Sequence, residues 1–88
     1  MPTPAAASPE SSLLRGGADP QRLFQLGMMY ASGRSGPADM VAAHKWFNIA
    51  ALRGNAEAAR LRREIAEEMS EAEIAAAQRA AREWIRLH

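Results

Sequence analysis

His44 is the side chain best suited to chemistry, since the chain's other histidine is the terminal His88. An imidazole near neutral pH can serve as a general base or a metal ligand. Either role needs partners. No His-Glu-x-x-His pattern is present and no carboxylate cluster brackets His44, so it reads as a surface or groove histidine. The stretch Gly33-Arg34-Ser35-Gly36 has the glycines of a phosphate-cradling loop. Asp39 follows at a helix start, however, and a carboxylate there opposes a bound anion. No Gly-x-Ser-x-Gly or Walker-type motif occurs, and there is no cysteine. Disulfides, thiolate metal sites and cysteine nucleophiles are therefore excluded. These residues predict no enzyme, no cofactor and no metal.

The ionic residues are the next candidates. Net charge is only +1, which disfavours a broadly basic nucleic-acid binder. Residues 1–54 carry five basic and three acidic side chains; the remainder carries six and seven. Arg15, Arg22, Arg34, Lys45 and Arg53 could still combine into a basic patch. Glu57, Glu64, Glu67, Glu68, Glu71 and Glu73 alternate with Arg60, Arg62, Arg63 and Arg79, as on a solvated helix surface.

Helices must position these groups. One threonine, one valine and four isoleucines leave a sequence poor in β-branched residues. Asp19-Pro20 is a cap followed by a proline at the first helical position. Leu23, Leu26, Gly27 and Tyr30 then form one face, and Ser32-Gly33 ends the helix. Asp39 caps a second helix with Val41, Ala43, Trp46, Phe47 and Ala50 inward. Gly54 suits a left-handed terminus, and Asn55 caps a third helix bearing Ala58, Leu61, Ile65 and Met69. Ser70-Glu71-Ala72-Glu73 is a capping box, with Met69 and Ile74 placed as a hydrophobic staple. Ile74, Ala77, Ala81, Trp84 and Ile85 form the last apolar face. The fold class is all-α: antiparallel helix pairs in a short α/α solenoid, with helices at roughly 19–32, 39–53, 55–68 and 70–86.

The 48% hydrophobic share contains no apolar run near the roughly 20 residues a membrane helix needs. Residues 1–18, with Pro2, Pro4, Pro9, Gly16 and Gly17, read as a flexible leader without a signal-peptide pattern. The alternative for this stretch, with Leu13 and Leu14, is a short docking segment that orders on contact. The expected location is the cytoplasm.

Leu26-Gly27, Tyr30, Gly33, Pro37, Asp39, Ala43, Trp46-Phe47, Ala50-Ala51 and Gly54-Asn55 through Ala58 fall in an ungapped register that resembles the Sel-1-like repeat. This family is a short relative of the tetratricopeptide repeat. Two positions depart from its pattern: Ser35 stands at the usual second loop glycine, and Ala42 at the usual lysine. The resemblance implies two antiparallel helices over 19–54, followed by a degenerate repeat or C-terminal cap over 55–88. It also implies adaptor or scaffold duty. Solenoids usually need about three repeats, so a chain with roughly one and a half is expected to associate.

Phe24, Met28, Met29, Ile49 and Leu52 lie off the assigned inner faces. With His44, Lys45 and Asn48 they make the expected partner-binding set. The partner is another protein or peptide segment, or a second copy of the chain. The alternative function is a small regulatory protein that binds nucleic acid through arginines.

Overall fold

The computed structural model describes residues 10, 14, 17–34 and 36–88. Among these, four helices form and no strand. They are α1 (Pro20–Ser32), α2 (Met40–Leu52), α3 (Ala56–Ala66) and α4 (Glu71–Leu87). Pro2, Pro4, Pro9, Leu13, Arg15 and Gly16 of the leader, and Ser35 of the loop, lie outside the described residues.

Every helix starts where a side chain replaces a missing intrahelical acceptor. Asp19 accepts from the Arg22 N–H at 2.9 Å, and Asp39 from the Ala42 N–H at 3.0 Å. Asn55 accepts from Ala58 at 2.8 Å. Ser70 accepts from the Glu73 N–H at 3.1 Å, while the Glu73 carboxylate accepts from the Ser70 N–H at 2.8 Å, completing the capping box. Between α2 and α3 the backbone turns at Gly54, whose φ of 106° few side-chain-bearing residues adopt. The Asn55 N–H closes that turn on the Ala50 carbonyl at 3.0 Å. Helix α3 ends at Ala66, two residues before the expected boundary. The amides of Glu67, Glu68 and Met69 each bond three residues back, which tightens the chain into a turn before α4.

Contacts at both ends fix the direction of the first pair. The Asp39 N–H donates to the Tyr30 carbonyl at 2.9 Å, joining the end of α1 to the start of α2. Arg53, just past α2, donates to the Ala18 carbonyl before α1 at 3.2 Å. The two helices are therefore antiparallel.

Helix α2 is the hub, packing against α1, α3 and α4. Successive residues on a helix point about 100° apart, and three in a row reach three different neighbours. Trp46 meets Trp84 of α4 edge-on, with ring centroids 5.4 Å apart. Phe47 lies over the backbone of Gly27 in α1. Asn48 accepts from the Arg62 guanidinium of α3 at 2.6 Å. The repeat reading makes α3 the partner of α4. In the structure the main support of both helices is α2.

The buried cluster is Leu23, Leu26, Ala43, Trp46, Phe47, Ile49, Ala50, Ala58 and Ala81. The alanines let backbones approach, and the two rings and three aliphatic side chains fill the remainder. Ile85, expected on the inner face of α4, is exposed; Trp84 takes the inward position beside it. Closeness is most extreme at Gly27. A Cβ there would fall 2.9 Å from Phe47 Cγ and nearer still to Cδ1 and Cε1.

Gly27→Ala is expected to destabilise the chain by about 1–3 kcal/mol, the usual range for overpacking. Gly27→Ala combined with Phe47→Leu should cost less than the sum of the single changes. Urea unfolding of the four proteins checks this, and strict additivity would show that the ring–backbone contact is not the cause.

Candidate functional site

His44 is 3% exposed on α2, not on a surface or in a groove. Among the described residues its Nδ1 has no hydrogen-bond partner. Burial lowers its pKa below the ordinary 6.5, and the neighbouring positive charge of Arg62 lowers it further. The imidazole is therefore neutral near pH 7. Among the described residues no group of three or more histidines and carboxylates is placed to hold a metal ion. In the glycine loop, Gly33 and Gly36 take φ of 74° and 142°. The N-terminus of α2 that follows is filled by the Asp39 carboxylate, which occupies the place an anion would need.

Several cationic residues are engaged at separate points. Arg22 pairs with Asp19, the residue that caps α1. Arg53 holds the Ala18 carbonyl and lies 5.5 Å from the Trp84 ring. The Lys45 ammonium sits 4.3 Å from the Trp46 ring centroid. Arg60 pairs with Glu57 and, at 2.6 Å, with Glu64. The guanidinium beside Glu57 holds that carboxyl below its usual range. Arg86 pairs with Glu83 at 2.5 Å. Arg15 of the expected basic patch lies outside the described residues.

The eight expected partner contacts do not form one surface. Ile49 is fully buried in the cluster, so it and His44 are withdrawn from the contact set. The reason is the enclosure of α2: with neighbours on three sides, positions off one inner face fall on another. Phe24 packs against Phe47, ring centroids 5.8 Å apart, and is half-buried. Lys45 and Asn48 are half-buried on α2, with Asn48 held by Arg62. Leu52 stands 65% exposed at the end of that helix.

Met28 and Met29 come together elsewhere. With Gln25, Ser32 and Arg34 they line an open, mainly apolar groove of about 410 Å³ on α1. Met28 is 44% exposed and Met29 half-buried. The sequence assigned Arg34 to a basic patch and gave no binding role to Gln25 or Ser32, because polar residues do not mark an apolar surface. A signal was present nonetheless: 25, 28, 29 and 32 follow the spacing of one helical face.

Tyr30 and Trp46 each carry one polar group in apolar surroundings. The Tyr30 hydroxyl donates to the Glu10 carboxylate at 3.0 Å. Burial, then this bond and the nearby carboxylate charges, push its pKa up to about 12. Among the described residues the buried Trp46 indole N–H has no acceptor.

Compared with protein-family models, with curated proteins and with solved structures, the chain matches none of them.

The neutral, buried His44 predicts acid sensitivity of a definite sign. Unfolding lets the imidazole take a proton near pH 6.5, whereas the folded chain resists it. This contribution is flat above that pH and turns destabilising below it, by at most about 1.4 kcal/mol per pH unit. Unfolding free energies between pH 7.5 and 5 should therefore fall more steeply for the native chain than for His44→Gln. Equal slopes would contradict the assignment.

Proposed function

We propose that this chain is a non-catalytic protein–protein interaction module of the Sel-1-like repeat kind, acting in the cytoplasm as an adaptor or scaffold. It takes an apolar segment of a partner protein in the groove on α1. The observation that carries this reading is the groove itself: two thioethers bordered by Gln25, Ser32 and Arg34, with Met28 open to solvent. Methionine surfaces adapt to varied apolar partners, and the bordering Gln25 amide and Arg34 guanidinium can orient a peptide backbone or a carboxylate.

The repeat assignment draws on the residues of the pattern. Gly27 sits beneath the Phe47 ring. Asp39 and Asn55 cap α2 and α3. Ala43, Ala50 and Ala58 are buried. The nucleic-acid alternative has less support, because Arg22, Arg53, Arg60, Arg62 and Arg86 each engage an acceptor within the fold.

No described helix is long and apolar enough to cross a membrane. A photo-crosslinking residue placed at Met28 in cells should yield a discrete protein adduct. The same residue at exposed Gln78 on α4 should not. Met29→Asp should reduce the Met28 adduct at least tenfold while leaving helicity unchanged. Adducts of equal yield at both positions, or adducts to nucleic acid, would overturn the reading.

A further inference from the structure

Among the described residues before α1, Glu10, Leu14 and Ala18 are tied to the fold. The Glu10 carboxylate accepts from the Tyr30 hydroxyl at 3.0 Å. Leu14 is half-buried and packs against the buried cluster. The Ala18 carbonyl accepts from Arg53 at 3.2 Å. Glu10 and Leu14 also belong together: the Leu14 N–H donates to the Glu10 carbonyl at 2.9 Å, the four-residue closure of one helical turn. That spacing puts a carboxylate and an isobutyl group on one side of the turn. The fold presents their complement, a hydroxyl donor on α1 and the edge of an apolar cluster.

We propose that the flank of the α1–α2 pair around Tyr30 is a seat for a Glu-x-x-x-Leu turn, filled here in cis by Glu10 and Leu14. The N-terminal segment is thus a built-in competitor of any partner helix with the same pair. The chemistry recognised is specific: one acceptor for the tyrosine hydroxyl and one leucine-sized group four residues on. The part-buried hydroxyl loses a charge-assisted bond when the turn lacks the carboxylate, so such a turn binds less well. Among the described residues, the lining of the groove on α1 includes none of Glu10, Leu14 and Tyr30. The inference therefore holds or fails independently of the proposed function.

The test uses the full chain, its Glu10→Ala/Leu14→Ala variant, and a fluorescent peptide of residues 7–17. Tethering gives the internal segment an effective concentration of about millimolar. The emptied variant should bind the peptide about tenfold more tightly than the native chain does. Adding Tyr30→Phe should reverse that gain, and a peptide with alanine at both positions should not bind. Equal affinity for native and emptied chains, or no preference over the alanine peptide, overturns the proposal.

Tyr30 is the sole tyrosine, so its ultraviolet titration gives a second readout without any peptide. In the native chain it should ionise near 12. In Glu10→Ala it should fall toward the ordinary value of 10.0, with helicity followed by circular dichroism at each pH. Identical titrations in the two proteins, with helices intact, also overturn the proposal.

Discussion

Three consecutive residues of α2 are each committed to a different helix, and the rest of the structure depends on that division. Trp46 turns to α4, Phe47 to α1 and Asn48 to α3. A helix enclosed in this way cannot be amphipathic in the ordinary sense, and six of its thirteen residues are buried. Its neighbours can be simpler. Helices α1, α3 and α4 each bury a narrow stripe: Leu23, Leu26 and Gly27; Ala58; Ala77 and Ala81. Because α3 and α4 both rely on α2, a small core serves four helices without a second layer.

The same division accounts for the placement of polar groups. Asn48 and Arg62 join α2 to α3 through a charge-assisted bond, the stronger class of hydrogen bond. His44 on the same helix is buried and stays neutral beside Arg62. Around Trp84, Trp46 packs edge-on, His88 stacks at 4.4 Å, and Arg53 lies against the ring while holding Ala18. Arg53 thereby links the start of α1, the end of α2 and the end of α4. The Ala18 carbonyl precedes the cap of α1 and so has no intrahelical donor of its own.

The sequence was most legible where the controlling physics is local. Asp19, Asp39, Asn55 and Ser70 act within three residues of themselves, and all four helix starts lie where those caps predict. Leu23, Leu26, Ala43, Trp46, Phe47 and Ala50 could be read as core from spacing alone. Tertiary choices were less legible. Ile49 and His44 lie off a single inner face yet are buried, because periodicity cannot reveal that a helix has three neighbours. Leu52, by contrast, does stand in solvent. The groove on α1 was half-legible: Met28 and Met29 stood out and Arg34 was read as part of a basic patch, while Gln25 and Ser32 did not stand out. Glu10 gave no sign of reaching Tyr30, since nothing local pairs residues twenty positions apart.

The central claim is that α2 holds the fold together and the other helices lean on it. Native-state hydrogen exchange tests this most directly, because it resolves the opening free energy of each amide. The account predicts that the amides of Trp46 through Ala50 exchange only through global unfolding. Amides of α3 and α4 should exchange through smaller openings, independently of one another. Exchange of the α2 amides ahead of those in α3 or α4 would contradict it.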